Sequence, residues 1–206
     1  ISLLADIKNA VPPWMRISRV IRDIPSDETV AGNQQTNLRQ VIQSRMKERG
    51  MKCRCLRCRE VGHKKTDLRF TIYDLRINLR ERTYEASDGV EHFLSYEDEE
   101  TDTVFAFLRM RFPSKDARLL WKHLPELEHA AYIRELHTYG QMLSIGDKDA
   151  AASQHKGYGR RLIENAEVLA KSNGYAKMAV ISGIGVREYY RKLGYSLEGT
   201  YMVKFI

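Results

Sequence analysis

Residues 154–162, QHKGYGRRL, place two glycines one residue apart between basic side chains, directly before a stretch with helical periodicity. That stretch is predicted to be a helix over 158–172 with its apolar residues on one face, ended by Gly174. The first amides of a helix have no partner in its own backbone, and glycine lets an anion approach them closely. The segment therefore predicts a phosphate-binding turn around Gly157 and Gly159.

Formal charge in this turn comes from Lys156, Arg160 and Arg161. The spacing Q-x-x-G-x-G matches neither the P-loop nor the dinucleotide-binding fingerprint. The alternative interpretation is a glycine-rich turn that only caps a helix packed on a sheet. The order of the neighbouring elements favours the phosphate-binding interpretation, because a strand precedes the helix and the buried strand 176–182 follows it.

The remaining pattern predicts an α/β (α+β) fold with a mixed, mostly antiparallel sheet. Helical periodicity begins near Leu38 and ends at Gly50, a short helix is predicted over 185–192, and residues 114–130 are ambiguous. Strands are predicted over 68–73, 81–86, 90–97, 103–112, 131–139, 176–182 and 200–205. Ser87-Asp88-Gly89 is typical of a hairpin turn, so the first strands predict an antiparallel meander.

Composition restricts the setting in which the 206-residue chain works. No apolar run approaches the ~18 residues that a membrane span needs, so we expect no membrane partner. The formal net charge of +7 suits a polyanionic partner. All three cysteines lie within six residues, which predicts a metal or thiol site in a reducing, cytoplasmic setting rather than a disulfide framework. Because the chain starts at Ile1, we expect a piece of a longer protein.

Cys53, Cys55 and Cys58 form a C-x-C-x2-C pattern, and His63 follows five residues later. Three thiolates and a fourth ligand would satisfy tetrahedral zinc, the metal that we expect here. The fourth ligand is open between His63 by proximity, His137 by fold and another residue. The alternative is a set of free cysteines in a basic strand.

Residues 45–65 form the most basic segment of the chain. Lysine and arginine side chains there could hold the backbone of tRNA through phosphate contacts that carry little sequence information. The alternative is a solvated charged surface. The predicted RNA-binding residues are Arg45, Lys47, Lys52, Arg54, Arg57, Lys64 and Lys65.

The order of strand, glycine turn, helix and buried strand resembles the GNAT acetyltransferase superfamily. In that family Q/R-x-x-G-x-G/A cradles the pyrophosphate of acetyl-CoA, and the matching positions here are Gln154, Gly157 and Gly159. The resemblance also implies that the strands over 131–143 and 176–182 splay apart to admit the pantetheine arm. Late in the chain, YYRKLGY at 189–195 is similar to the family's ending.

A more specific resemblance covers most of residues 12–204. The blocks PPW, RDIP, CRCLRCREVG, FLSYED, RELHTYG and VISGIGVREYYRKLGY are similar, in order, to the catalytic subunit of Elongator, the tRNA wobble-uridine modifying enzyme. The family is implied to have a radical-SAM domain, with S-adenosylmethionine and a [4Fe-4S] cluster, followed by a GNAT-like domain that binds acetyl-CoA. It uses the acetyl group to attach a carboxymethyl group to C5 of uridine.

The resemblance implies three parts: a radical-SAM remnant over 1–50, a cysteine-rich basic linker over 51–66 and an acetyl-CoA-binding domain over 67–206. The sequence departs from the family because it contains no C-x3-C-x2-C cluster motif. We therefore expect this chain to bind acetyl-CoA, and to hydrolyse it when RNA engages, without completing the radical reaction. A homodimer or other Elongator-type subunits are further expected partners.

The resemblance also implies site residues. Tyr189 and Tyr190 are expected near the thioester, with two core aromatics as the alternative. Glu135 and His137 share one face of a strand and could supply a base or position a water, unless the histidine is only buried and hydrogen-bonded. The expected cofactor-binding residues are Gln154, Lys156, Gly157, Tyr158, Gly159, Arg160, Arg161, Leu136, Thr138, Ser182, Tyr189 and Tyr190.

Two other function classes remain open. A conventional amine N-acetyltransferase would need an acceptor groove and a base, and it would acetylate polyamines or lysine peptides without RNA. A non-catalytic RNA-binding module held together by zinc would bind no acetyl-CoA.

Overall fold

The computed structural model describes residues 1–20, 26–28, 30–32, 35–63, 76–114, 116–139 and 157–206. These residues belong to two compact units, Ile1–Lys65 and Thr66–Ile206. The strand predicted over 68–73 lies outside the described residues. The separate linker predicted over 51–66 stays a prediction. Among the described residues, no helix combines the length and the apolar character needed to cross a membrane.

The first unit is helical where it is described. Its helices are α1 (Ser2–Ala10), α2 (Leu38–Glu48) and α3 (Leu56–Arg59), with 3-10 turns at Ser26–Glu28 and Val61–His63. Helices α1 and α2 pack through the buried side chains of Ala5, Leu38, Ile42 and Met46. Helix α1 was not predicted, and it ends at Ala10, ahead of the prolines that prevent its continuation.

The described strands of the second unit form one sheet. In chain order they are β1 (Ile77–Ala86), β2 (Gly89–Asp98), β3 (Thr103–Phe112), β4 (Ala130–Thr138), β5 (Lys177–Ile181), β6 (Ser196–Glu198) and β7 (Tyr201–Phe205). The spatial order is β1-β2-β3-β4-β5-β7-β6. The β4–β5 pair is parallel and the other pairs are antiparallel, as predicted for a mixed, mostly antiparallel sheet.

The hairpin turn predicted between the first two strands is confirmed. Ser87 and Asp88 lie between the paired residues Ala86 and Gly89, and both have positive φ, 47° and 58°. Positive φ at both central residues gives a turn whose twist matches that of the flanking strands. Strand β6, in contrast, was not predicted.

The pairing between strands β4 and β5 covers only the first half of β4. Their pairing runs from Ala130 with Lys177 to Ile133 with Val180, whereas β4 stays paired with β3 as far as Thr138. A bulge accompanies the end of this pairing, because Glu135 and Ile133 oppose consecutive residues of β3. Among the described residues, the second half of β4 therefore has no strand partner on its β5 side, which leaves a gap in the strand pairing. The splaying of the two strands stays a prediction.

Helices of the second unit connect and cover the strands. They are α4 (Arg118–His123), α5 (Tyr158–Ser172) and α6 (Arg187–Arg191), with 3-10 turns at Pro125–Leu127 and Ile184–Val186. Helix α5 has the predicted bounds. At its end the amide of Gly174 (φ 85°) donates to Lys171 O and that of Tyr175 donates to Ala170 O, a Schellman cap that glycine adopts without strain.

Helix α5 packs on one face of the sheet. Its buried residues Leu162, Ile163, Ala166 and Ala170 join strand residues such as Leu108 in the larger core. A smaller core on the other face brings together Leu127, Ala130, Tyr132, Ala179 and Val203 beside α4. The sheet thus fixes the start of α5 against β4, where the candidate site lies.

Candidate functional site

The start of α5 presents unpaired backbone donors. Gly157 is the N-cap, and the first described intrahelical bond runs from the Arg161 amide to Gly157 O, at 3.0 Å. The amides of Gly159 and Arg160 consequently have no acceptor within the helix. The helix dipole adds partial positive charge at this end. Among the described residues, a Cβ atom built on Gly157 would meet nothing within 4 Å.

Four of the predicted cofactor residues meet at Gly159. A Cβ atom on this glycine would lie 3.1 Å from the Tyr189 hydroxyl oxygen, 3.3 Å from Thr138 Cγ2 and 4.0 Å from Leu136 Cδ2. The start of α5 therefore lies directly against the diverging end of β4 and against α6. Residues from three separate elements of the chain, Leu136 and Thr138 of β4, Gly159 of α5 and Tyr189 of α6, form one surface here.

The arginines at the helix start have different environments. The Arg160 side chain is exposed and its Nε lies 2.7 Å from Glu164 Oε1, one turn along the helix. The Arg161 guanidinium lies over the ring of Tyr96, 4.8 Å from the centroid, and 5.8 Å from that of Tyr158. Cation–π contacts therefore hold Arg161 in place, whereas Arg160 extends into solvent where it can meet an anion.

The two adjacent tyrosines of α6 have separate environments. Their rings meet edge to face at 5.4 Å. Tyr190 is buried in the larger core, and burial raises its pKa to about 12. Tyr189 is 38% exposed, and burial of part of its ring raises its pKa as well. Both phenols are therefore neutral at physiological pH, and Tyr189 is the one whose hydroxyl reaches the start of α5.

A contact network fixes α6 against α5. The rings of Tyr190 and Tyr195 meet edge to face at 5.8 Å, and the Tyr195 hydroxyl donates to Glu167 Oε1 over 2.8 Å. The Lys204 ammonium donates to both oxygens of Glu167, at 2.9 and 2.8 Å. Since Glu167 belongs to α5, these bonds position Tyr189 relative to the helix start.

Ser182 follows the end of β5, on the other strand that borders the gap. Its Oγ is buried and has no hydrogen-bond partner within the described part of the chain. Buried hydroxyls without partners are uncommon, and they often mark the place of a ligand or water. That Ser182 borders a cofactor channel stays a prediction, and its buried Oγ is the atom that would meet the ligand.

Glu135 and His137 form a pair, but on the other face of the sheet. His137 Nε2 lies 3.1 Å from Glu135 Oε1, and Arg109 Nε donates to Glu135 Oε2 over 3.2 Å. The His137 ring stacks on Phe107 at 5.1 Å. Side chains alternate along a strand. The pair thus points away from the face on which Leu136 meets α5, and the structure does not bring it together with Tyr189.

The predicted metal ligands meet in the first unit. The sulfur atoms of Cys53, Cys55 and Cys58 all lie within 4.8 Å of one another. Zinc takes thiolate sulfurs at ~2.3 Å, so a small adjustment lets these three share one ion. Hydrogen bonds from Cys53 and Cys58 lower the pKa of the Cys55 thiol, whereas hydrogen bonding to Cys53 and Cys55 raises that of Cys58. The donor set therefore fits a zinc ion.

A fourth contact to the cluster was not predicted. The buried ammonium group of Lys8 lies 3.9 Å from Cys58 Sγ. No sequence signal marks it, because Lys8 lies 50 residues away on α1. Its positive charge offsets the negative charge that three thiolates would carry.

Some of the predicted site residues fall outside the part of the chain that the structure describes. Gln154, Lys156, Lys64 and Lys65 lie outside the described residues, and so does the side chain of His63. Of the described residues predicted to bind RNA, Arg57 is half-buried, and the others are exposed: Arg45, Lys47, Lys52 and Arg54. Arg45 pairs with Glu48 over 2.9 Å.

Comparisons with known proteins show which family the chain is similar to. Residues 1–48 match the model of the radical-SAM C-terminal domain. Over its full length the chain is 44% identical to a tRNA uridine(34) acetyltransferase of Methanocaldococcus jannaschii, covering 38% of that protein. It is 43% identical to Elongator complex protein 3 of Danio rerio, with 99% of this chain and 36% of that one aligned.

A solved structure of a similar protein also superimposes on this chain. Archaeal Elp3 of Methanocaldococcus infernus, with its first 46 residues deleted, superimposes with a TM-score of 0.84 at 40% identity, covering 99% of this chain and 47% of that one. The chain belongs to the Elongator catalytic-subunit family. Its mixed α/β architecture, with a radical-SAM C-terminal segment ahead of a mixed, mostly antiparallel sheet, confirms the predicted fold class. The chain spans less than half the length of these Elongator relatives.

Proposed function

We propose that this chain is the acetyl-CoA-binding part of a tRNA uridine(34)-modifying enzyme. The observation that carries the proposal is the start of α5, where amides without an acceptor in the helix lie beside the second half of β4. Membership of the Elongator family supports it independently, since a relative 44% identical is named tRNA uridine(34) acetyltransferase. A helix start of this kind is suited to the diphosphate of coenzyme A.

The residues of the chain would hold the cofactor in three places. Amides of Gly159 and Arg160 donate to the diphosphate, the exposed Arg160 side chain adds charge, and Gln154 and Lys156 are further predicted contacts. The gap beside β4 receives the pantetheine arm, with Ser182 Oγ as a donor on its β5 side. Acetyl-CoA supplies an activated acetyl thioester.

Tyr189 is the group best placed to assist the chemistry. Its hydroxyl lies at the start of α5, and its raised pKa keeps the phenol protonated at neutral pH. A protonated phenol beside the departing thiolate donates a hydrogen bond or a proton, which stabilises that leaving group. Water then takes the acetyl group when no other acceptor is present, and acetate and free coenzyme A are released.

In the whole enzyme the acetyl group would provide the carboxymethyl group placed on C5 of uridine in tRNA. That step needs S-adenosylmethionine and a [4Fe-4S] cluster, which other parts of a longer protein would bind. The basic residues of the first unit would hold the tRNA backbone, and Cys53, Cys55 and Cys58 would hold a structural zinc. We place this activity in the cytoplasm.

Release of coenzyme A from acetyl-CoA, measured with and without tRNA, tests the proposal. We expect binding heat with acetyl-CoA in calorimetry and hydrolysis that tRNA stimulates. Gly157→Asp should abolish the heat, because a carboxylate would enter the phosphate approach, while Asp116→Asn, a carboxylate change on the surface, should leave it intact.

The other function classes predict different results. Acetylation of polyamines or lysine peptides without RNA would indicate a conventional N-acetyltransferase. Absence of any heat with acetyl-CoA, together with RNA affinity that Gly157→Asp leaves unchanged, would indicate an RNA-binding module and contradict the proposal.

A further inference from the structure

A polar cleft lies in the first unit, and its lining residues are not among those discussed above for coenzyme A. Its volume is about 400 Å³, within the ~300–1,000 Å³ common for ligand sites. It lies between the segment that ends at Val20, the start of α2 and the single-turn helix α3. The lining residues are Ser18, Arg19, Val20, Thr36, Arg39, Gln40 and Arg57.

The lining is strongly basic. Three of its seven described residues, Arg19, Arg39 and Arg57, carry guanidinium groups, and no described lining residue is acidic. Three cations around one small volume repel one another unless an anion occupies it. Ser18, Thr36 and Gln40 add neutral hydrogen-bonding groups, so the lining favours an oxygen-rich anion over a simple halide.

Arg39 gives a second, independent indication. Its Nη2 donates to the carbonyl oxygens of Ile17 and Ser18, over 3.1 and 3.2 Å. Its Nη1 is buried and has no hydrogen-bond partner among the described residues. A buried charged donor without an acceptor is costly, so this atom calls for a ligand oxygen. The hydrogen bonds to Ile17 and Ser18 hold the guanidinium in place before a ligand binds.

The cysteine cluster positions Arg57. Cys55 is the N-cap of α3, the Cys58 amide donates to Cys55 O over 2.9 Å, and the Leu56 amide donates to Met15 O over 2.8 Å. Arg57 lies within this single turn, between two of the three cysteines. A metal ion on the cluster would therefore also fix Arg57 at the cleft.

We propose that this three-arginine cleft binds one phosphodiester group of an RNA backbone. Planar guanidinium groups match the oxygens of a phosphate, often with two hydrogen bonds each. The open rim at exposed Arg19, and further basic residues along α2, suit a polymer better than a small buried ion. The inference rests on the tRNA part of the proposed function and specifies where one phosphate is held.

Binding of an anticodon stem-loop RNA, measured across a series of salt concentrations, tests the cleft. The 206-residue chain is compared with Arg19→Gln, Arg57→Gln and the double variant. Each single change should weaken binding roughly tenfold, as expected for one charge-assisted contact. Each should also reduce the slope of log affinity against log salt by about 0.7–0.9, the value for one phosphate.

The double variant separates one shared phosphate from scattered charge. If both arginines hold the same phosphate, the double variant loses less than the product of the two single losses and shows the same reduction in slope. Arg118→Gln, an exposed arginine of α4, is the matched control and should leave affinity almost unchanged. Additive losses and slopes, or an equal loss in Arg118→Gln, would overturn the assignment.

Two further measurements remove ambiguity. Arg19 is exposed, so Arg19→Gln stays informative even if Arg57→Gln disturbs folding. Inorganic phosphate, compared with chloride at equal ionic strength, should raise the thermal unfolding midpoint of the wild type but not that of the double variant. If phosphate stabilises the wild type while the variants keep the RNA affinity of the wild type, the cleft is a free-phosphate site and the RNA assignment is overturned. The same variants should give the binding heat of the wild type with acetyl-CoA in calorimetry. Absence of this heat in the wild type itself would contradict the proposed function, not the assignment of the cleft.

Discussion

The hydroxyl oxygen of Tyr189 lies 3.1 Å from the position that a Cβ atom on Gly159 would occupy. This distance is tighter than ordinary van der Waals contact, and Thr138 Cγ2 at 3.3 Å closes the other side. The second glycine of the motif is therefore required by packing against α6 and β4, whereas the space at Gly157 is open. The two glycines serve different purposes.

Gly159→Ala tests this close packing in a double-mutant cycle with Tyr189→Phe. The added methyl group should be overpacked against the Tyr189 hydroxyl, which offsets the gain in helix propensity. Removing that hydroxyl relieves the contact, so the alanine should be better tolerated in the Tyr189→Phe protein. We expect a coupling free energy of about 1 kcal/mol in chemical denaturation.

Gly157→Ala is the matched control for stability. Its φ of −124° is allowed for alanine, and no atom of the described residues lies within 4 Å of the new methyl group. Its unfolding free energy should therefore not depend on the residue at 189. Coupling equal to that of Gly159→Ala would contradict the packing argument.

Tyr189 and Tyr190 are expected to differ in thioester hydrolysis. Tyr189→Phe should lower the rate of coenzyme A release about 100-fold, a typical loss for a proton donor, with little change in acetyl-CoA affinity. Because burial raises the Tyr189 pKa, the ratio of wild-type to variant rates should stay constant from pH 6 to about 10, the ordinary tyrosine value. Assays that detect released coenzyme A with a thiol reagent measure the rates, and calorimetry measures the acetyl-CoA affinity.

Tyr190→Phe is the comparison for this prediction. Its hydroxyl is buried in the core, so the change should affect unfolding more than hydrolysis. If Tyr190→Phe abolishes hydrolysis while Tyr189→Phe retains it, the assignment of the two tyrosines is reversed.

The cysteine cluster should carry one zinc ion per chain. Metal analysis of the purified chain is expected to show this stoichiometry, and Cys55→Ser should lose it. A chelator should lower the unfolding midpoint of the wild type by more than ~5 °C, because binding energy of a structural zinc is folding energy. The Cys55→Ser midpoint should not respond to the chelator; an equal response would show that the stabilising metal lies elsewhere.

Local signals account for the elements that the sequence predicted well. Helix α5 has a one-sided apolar pattern, a glycine at its start and a Schellman glycine at its end, so both bounds are encoded within its own residues. Helix α1 lacks such signals: it has no side-chain cap and no acidic residue in its first turn. Strand β6 is three residues long, too short for an alternating pattern to emerge.

Side-chain partners across the fold could not be predicted from local patterns. The contact of Arg161 with Tyr96 joins residues 65 positions apart, and that of Lys8 with Cys58 joins residues 50 apart. Alternation on β4 did predict that Glu135 and His137 share a face. It could not tell which face meets α5, because that depends on the bulge at Arg134 and on the packing of the whole sheet.

Glu135 should make stability depend on pH under acid conditions. Its pKa is lowered, chiefly by the hydrogen bond from His137; burial opposes this effect, and Arg109 lowers the pKa further. A carboxyl whose folded pKa lies below its unfolded value, about 4.3 for glutamate, stabilises the fold above that value. This contribution is lost as pH falls through the folded pKa.

Glu135→Gln removes the charge and should cost about 1 kcal/mol at pH 6–7, less than the ~1.5–3 kcal/mol of a buried charge-assisted hydrogen bond because the site is partly exposed. The difference from wild type should shrink below pH ~4, where protonation removes the same charge from the wild type. Glu85→Gln, at an exposed position of β1, should show no such convergence. Urea unfolding from pH 3 to 7 measures this, and a difference that grows toward low pH would mean that the Glu135 charge does not stabilise the fold.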